Sequence, residues 1–186
     1  MDGTSAKSGP TWTDVKAKLA NVDRKGLLAL VGDLYAASKE NQKFLHARFG
    51  LGGDALQFYK ETIERWVSPD VFRRQHTSVV KAKKAISDYR KAVGEPAGLA
   101  ELMVFYCERA AGFCREYGEG ESYHTSLINV FEQSLVAINK LPRDKRDGLI
   151  ARLIEVRKIG AGLGYLAGTD MADSLARHID PDEAGG

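Results

Sequence analysis

Apolar residues recur at intervals of three and four along most of this 186-residue chain, and the alternation that marks β-strands is missing nearly everywhere. Residues that cap helices and glycines that end them divide the chain into seven or eight helical segments. The pattern predicts an all-α fold, a single domain built either as an irregular bundle or as stacked helical hairpins. We expect it to cover residues 11–180, between disordered tails over residues 1–10 and 181–186.

Cap residues and prolines mark the expected helix starts. They are Thr11 or Thr13, Asp23, Ser38, Asp54, Ser68 followed by Pro69, Ser122, Pro142 and Thr169. The segment 73–93 is expected to belong to one long basic helix, and the most apolar helix is expected over residues 97–117.

Composition and charge are typical of a soluble globular protein, with 44% hydrophobic and 28% charged residues. The first ten residues contain no apolar run that would serve as a secretory signal, and no stretch approaches the roughly 20 apolar residues of a membrane span. Two cysteines do not make a disulfide framework. These features predict a cytoplasmic protein with no membrane partner.

The two cysteines, Cys107 and Cys114, lie seven residues apart and therefore on one face of a helix. Their separation along the helix axis is roughly 10 Å, which exceeds the reach of a disulfide and of two thiolates sharing one metal ion. We therefore interpret both as small core residues.

No catalytic constellation is recognisable among the titratable residues. The four histidines are scattered over separate predicted helices, and neither a paired metal-ligand spacing nor a G-x-S-x-G motif occurs. A metal site made by His124 with Glu119 or Glu121 is the one combination that local folding could assemble. We predict no catalytic residue, no metal and no cofactor, and the alternative is an unrecognised enzyme site around His46, Arg48 or His124.

A glycine-rich stretch, residues 162–167, fits the dinucleotide-binding pattern G-x-G-x-x-G/A. That fingerprint requires a strand before it and a second strand after it, whereas residues 147–159 follow helical spacing and few residues follow the motif. The stretch is better interpreted as a helix end with Gly160 in the left-handed conformation, followed by a close-packing connection. Tyr165 would fold back on the bundle there, and a short last helix would start after Thr169.

Charge is distributed unevenly along the chain. Residues 1–94 carry 17 Lys and Arg against 10 Asp and Glu, whereas residues 95–186 carry 10 against 15. The basic segment holds one acid, Asp88, and seven cations, which are Arg73, Arg74, Lys81, Lys83, Lys84, Arg90 and Lys91. This face is a candidate for binding the phosphates of nucleic acid or an acidic partner. Its alternatives are a solvated face or one docked on the helices of residues 95–140, which hold seven acids and three bases.

The stretch 34–49 combines apolar residues that we expect in the core, Leu34, Phe44, Leu45 and Phe49, with polar residues. Three of the polar residues, together with a tyrosine of the glycine-rich stretch, form a candidate partner surface: Asn41, His46, Arg48 and Tyr165.

The run formed by Leu34-Tyr35, Ser38, Asn41, Phe44-Leu45 and Arg48-Phe49 resembles a recurring segment in small helical bacterial proteins of a family known only as a domain of unknown function. The stretch 159–175 is similar to the tail segment of the same group. The resemblance implies an all-α fold and a bacterial cytoplasm, and it carries no activity or site residue.

The function that these observations favour is that of a non-enzymatic helical protein, a protein–protein interaction or adaptor module. The alternative is a nucleic-acid-associated protein that binds phosphates through the basic helix around residues 73–91. The partner in the first case is another protein, and the sequence assigns no oligomeric state.

Overall fold

The chain is described here by a computed structural model over residues 9–51 and 55–179, and those residues contain helices and turns but no strand. The helices are α1 (Trp12–Leu19), α2 (Arg24–Ala37), α3 (Lys39–Phe49), α4 (Ala55–Val67), α5 (Val79–Ala92), α6 (Pro96–Tyr117), α7 (Glu121–Ile138), α8 (Asp147–Gly160) and α9 (Tyr165–His178). The predicted all-α class is therefore confirmed. Most of both predicted tails, together with the predicted cap Asp54, lies outside the described residues. None of the described helices has the length and apolar character to cross a bilayer.

Contacts within the chain divide it into two compact units, residues 1–45 (the N-terminal unit) and residues 46–186 (the C-terminal unit). Three predicted caps are confirmed in the first of them. Thr11 forms a capping box with Asp14, and the Asp23 carboxylate accepts a hydrogen bond from the amide of Gly26 at 2.7 Å. Ser38 Oγ accepts hydrogen bonds from the first amides of α3.

The core of the C-terminal unit is built around α6, which packs against α4, α5, α7 and α8, while α9 covers α7 and α8. Eleven of the 22 residues of α6 are buried, and many of them are small, so neighbouring helices approach it closely from several sides. Both cysteines are free and buried on this helix, as the sequence predicted. Burial raises the pKa of the Cys114 thiol to about 12 and raises that of Cys107 well above its usual value, so neither is a reactive thiolate.

Two buried tyrosines fix α7 against its neighbours. Tyr106 Oη of α6 lies 2.9 Å from Ser126 Oγ, and Tyr123 Oη donates a hydrogen bond to the carbonyl oxygen of Val67 at the end of α4. Burial raises the pKa of both phenols, so they stay protonated and remain hydrogen-bond donors across the ordinary pH range. The three helices are thus joined by satisfied buried polar groups as well as by apolar packing.

The basic segment does not form one long helix. The Asp70 carboxylate caps a 3₁₀ turn over Val71–Arg73, and Arg74 ends that turn in the left-handed conformation with φ of 53°. Residues 75–78 belong to no helix, and Ser78 then caps α5, which starts only at Val79. The start predicted at Ser68-Pro69 was therefore wrong. Asp70 caps a short 3₁₀ turn instead, and the left-handed conformation of the residue after this turn prevents it from continuing as an α-helix.

Two more predicted starts were displaced by a few residues. α7 begins at Glu121 with Gly120 in the cap position, so Ser122 lies inside the helix. Pro142 leads into the 3₁₀ turn Arg143–Lys145 rather than directly into α8. The two predicted starts therefore differ from the observed ones by a few residues, with a glycine as the N-cap of α7 and a 3₁₀ turn before α8.

The glycine-rich stretch connects two helices, and its predicted details were partly wrong. Gly160 is the last residue of α8 and is not left-handed, whereas Gly164 has φ of 125° and precedes α9. α9 begins at Tyr165, so Thr169 lies within this helix and is not its N-cap. Because a helix precedes the motif and another follows it, the dinucleotide-binding interpretation has no strand to support it here.

The close packing predicted for this connection is present between α8 and α9. A Cβ placed on Gly160 would lie 2.6 Å from Met171 Sδ, and one placed on Gly168 would lie 3.0 Å from the Cα of Ala161. Absence of a side chain at these glycines therefore lets α9 return close to the end of α8.

Replacement of Gly168 by alanine is expected to lower the free energy of unfolding by about 1 kcal/mol, because the new methyl group meets backbone that cannot rotate away. The measurement is urea unfolding followed by circular dichroism. The matched control is Gly148→Ala in the first turn of α8, where the added Cβ meets nothing within 4 Å. Equal stability of the two variants would contradict the close approach.

Candidate interaction surfaces

The N-terminal unit carries many large apolar side chains that are exposed. No residue of α1, α2 or α3 is buried. Ten exposed apolar residues belong to this unit: Trp12, Val15, Val22, Leu27, Leu28, Leu30, Val31, Leu34, Tyr35 and Phe44. The core positions predicted at Leu34, Phe44 and Phe49 were wrong, since all three side chains are exposed.

Most of these side chains lie on α2 and form one wide face. At ~100° per residue, the six large apolar residues of this helix occupy an arc of about 160°. They are Leu27, Leu28, Leu30, Val31, Leu34 and Tyr35, which we call the α2 apolar face. Leu28 at one edge of the arc is 64% exposed and Leu30 at the other edge is 40% exposed, so the face is open at both edges. The apolar face of an amphipathic helix is ordinarily buried, whereas no residue of α2 is buried here.

Two of the four residues predicted as a polar partner surface, Asn41 and Arg48, donate hydrogen bonds to backbone carbonyls. Asn41 Nδ2 donates a hydrogen bond to the Leu34 carbonyl at 2.7 Å, which closes the corner between α2 and α3. Arg48 Nη1 donates to the Ala92 carbonyl at the end of α5, at 3.2 Å. His46 is half-buried, and the side chain of Tyr165 lies outside the described residues. The structure thus gives Asn41 and Arg48 backbone partners within their own units.

The predicted basic residues are divided between the 3₁₀ turn and α5. Arg73 and Arg74 lie in the turn, whereas the other five lie on α5, and all seven side chains are exposed: Arg73, Arg74, Lys81, Lys83, Lys84, Arg90 and Lys91. Their ion pairs are local, with Asp70 for Arg73 at 3.2 Å and with Asp88 for Lys84 at 2.6 Å. Within the described residues, no ion pair with α6 or α7 is formed by the other five cations of this group, which are Arg74, Lys81, Lys83, Arg90 and Lys91.

Lys81 is further engaged by an aromatic ring. Its Nζ lies 3.9 Å from the centroid of the Trp66 ring, and the guanidinium carbon of Arg65 lies 4.5 Å from the same centroid. Cations at these distances are attracted by the ring quadrupole. The end of α4 therefore holds the first turn of α5 in place while its charge stays near the surface.

Two acids of α6 form ion pairs with a different set of cations. This cluster was not predicted from the sequence. Arg152 of α8 makes a two-pronged contact with the Glu108 carboxylate, with both N–O distances at 2.7 Å, and a further contact with Glu101. Lys60 of α4 approaches Glu101 at 2.7 Å. These four partly buried side chains, which we call the Arg152 cluster, join α4, α6 and α8.

Charge pairing in the Arg152 cluster shifts the ionisation of its members. Burial acts to raise the pKa of Glu101, but hydrogen bonds and charges from Arg152 and Lys60 outweigh it and lower the pKa below the ordinary 4.5. The pKa of Arg152 is raised, mainly by its hydrogen bonds to Glu108. Both partners are therefore firmly ionised at neutral pH, which is the signature of a structural ion pair rather than of an acid–base catalyst.

No family model and no curated protein matches the sequence, and no solved structure matches the fold. The resemblance of residues 34–49 and 159–175 to the bacterial helical family stays a prediction.

A surface cleft of about 630 Å³ lies in the C-terminal unit and contains His124. It is lined by the ends of α6 and α8, the start of α7 and part of the glycine-rich stretch. Nε2 of His124 is buried without a hydrogen-bond partner, while Lys158 and Glu155 pair with each other at 2.6 Å. Within residues 9–51 and 55–179, no three potential metal-ligating side chains come together, so His124 is not part of a recognisable metal centre there.

Proposed function

We propose that this protein is a non-enzymatic interaction module that binds another protein through the α2 apolar face. The observation that carries the proposal is the contrast between the two units: the C-terminal unit buries its apolar residues around α6, whereas no residue of α1, α2 or α3 is buried. Apolar surface exposed to water is unfavourable by about 25 cal/mol per Å², and wide exposed faces mark interaction sites. The C-terminal unit would act as the stable body that presents this face.

The composition of α2 defines the chemistry of the partner. Between residues 27 and 37 the only charged residue is Asp33, so the contact surface of the partner should be apolar and weakly charged. Such a face binds an amphipathic helix through side chains at helical spacing. The residues opposite the α2 apolar face are mainly small ones, Gly26, Ala29, Gly32 and Ala36, so the large side chains of this helix are concentrated on one side.

The test is a double charge substitution on the face, Leu28→Glu with Leu34→Glu. Proteins captured from an extract of the source cell by the wild-type protein should be lost with this variant, and binding of the purified partner should weaken roughly 100-fold, because two apolar anchors are removed. The matched control is Val136→Glu, an exposed apolar residue of α7 in the other unit, which should bind as the wild type does. Circular dichroism should show unchanged helix content in both variants.

Two outcomes would overturn this function. One is that the double variant and the control retain the same set of captured proteins and the same affinity. The other is that sedimentation shows a homodimer that the double variant dissociates, because the face would then bind a second copy of the chain rather than a different protein.

A further inference from the structure

Phe72 is the most exposed large apolar side chain in the described residues, at 90% of its full area. It lies in the 3₁₀ turn Val71–Arg73, where the Asp70 carboxylate accepts hydrogen bonds from the amides of Phe72 at 3.0 Å and Arg73 at 3.3 Å. The capped turn holds the backbone beneath the ring in a defined conformation. An exposed aromatic ring on a backbone of defined conformation is available for stacking with a planar ligand.

Arg74 is the only non-glycine residue with positive φ in the part of the chain that the structure describes. A glycine would adopt this conformation without strain, so the backbone alone does not explain an arginine here. Its side chain is exposed and makes no ion pair within the described residues. The strained position therefore presents a guanidinium to solvent two residues after Phe72.

The cations of α5 continue this charged surface. Ser78 N donates a hydrogen bond to the Trp66 carbonyl at 2.8 Å, and Lys81 lies over the Trp66 ring, so the start of α5 is tied to the end of α4. From Lys81 to Lys91 the cations extend over roughly 15 Å of helix axis. Among them Lys83, Arg90 and Lys91 form no ion pair within the described residues.

We infer that the 3₁₀ turn and the exposed face of α5 form a binding surface for single-stranded nucleic acid, separate from the α2 apolar face. In this arrangement Phe72 stacks on an unpaired base, Arg74 binds an adjacent phosphate, and the cations of α5 follow the backbone. Bases in a duplex are already stacked on one another, so the exposed ring favours a single strand. The cations are distributed along the helix axis of α5, and this distribution favours a chain-like polyanion over an anionic membrane.

The experiment measures fluorescence anisotropy of a labelled oligothymidine of about 12 nucleotides at about 0.05 M salt, against duplex DNA of the same length. We expect the wild-type protein to bind the single strand more tightly. Phe72→Ala should weaken single-strand binding about tenfold with an unchanged salt dependence, since it removes stacking and no charge. The matched control is Phe49→Ala, another exposed phenylalanine of the same unit, which should leave the affinity unchanged.

Arg74→Gly removes the positive charge without straining the backbone, because glycine readily adopts the left-handed conformation. This variant should keep the thermal stability of the wild type while the slope of log affinity against log salt falls by about 0.7. Absence of oligothymidine binding by the wild-type protein would overturn the proposal. Equal effects of the Phe72 and Phe49 substitutions would also overturn it. A third contrary outcome is that the protein binds phosphatidylserine vesicles in a manner that depends on Phe72 and does not bind the oligonucleotide.

Discussion

Replacement of Gly98 by alanine is expected to lower the free energy of unfolding by about 2 kcal/mol, although alanine is the better helix former. A Cβ at this position in α6 would lie 1.9 Å from Tyr89 Oη and 2.8 Å from Tyr89 Cζ. Tyr89 is buried and packs edge-to-face on Tyr59 with ring centroids 5.4 Å apart, so it cannot turn aside without displacing a second ring. Overpacking of this kind outweighs the gain in helix propensity.

The measurement is urea unfolding of the full chain, and the expected change corresponds to a fall in Tm of about 4–8 °C. Gly112→Ala is the matched control on the same helix, since nothing lies within 4 Å of its added Cβ, and it should stabilise the protein by up to ~1 kcal/mol. In a Tyr89→Phe background, which removes the nearest atom, the Gly98 substitution should be less destabilising. If Gly98→Ala behaved as Gly112→Ala does, the packing of α5 on α6 described above would be wrong.

Helix starts at Thr11, Asp23 and Ser38 could be predicted because a cap is a local interaction. Each side chain accepts a hydrogen bond from an amide two or three residues further along, so the necessary chemistry lies within a few letters of the sequence. The start of α5 could not be predicted in the same way. A left-handed residue is signalled in a sequence by glycine or asparagine, and here an arginine, Arg74, adopts that conformation.

Interactions between distant parts of the chain were beyond sequence reasoning for a different reason. Arg152 lies 44 residues from Glu108 and 51 from Glu101, and only the packing of α8 on α6 brings them together. The α2 apolar face could be predicted from the sequence, but its burial could not. An apolar pattern shows which side of a helix avoids water, but it does not identify what covers that side. Leu34 was therefore predicted in a core, whereas no described residue of α2 is buried.

Replacement of Arg152 by alanine is expected to destabilise the protein by about 2 to 3 kcal/mol at neutral pH. Removal of one partner from a fully buried ion pair costs about 3–5 kcal/mol, and the partial exposure of this cluster reduces that figure. The substitution leaves the Glu108 carboxylate without the ion pair described here and leaves Glu101 with Lys60 alone. Arg157→Ala is the matched control, because that residue lies on the same helix, is exposed, and forms no ion pair within the described residues.

The pH dependence of this effect distinguishes lost charge pairing from lost packing. In the wild-type protein the folded-state pKa of Glu101 is depressed, so its contribution to stability is present above the unfolded value near 4.5 and is lost as the pH falls through the folded value. Without Arg152, Lys60 alone opposes the effect of burial on Glu101, so the pKa of this carboxyl rises and it becomes neutral more readily in the folded state. The stability difference between the wild type and Arg152→Ala should therefore be largest near pH 7 and should shrink steadily below about pH 4.5. A difference that is the same at both pH values would mean that the arginine stabilises the junction of α6 and α8 through the packing of its alkyl stem, and not through its charge.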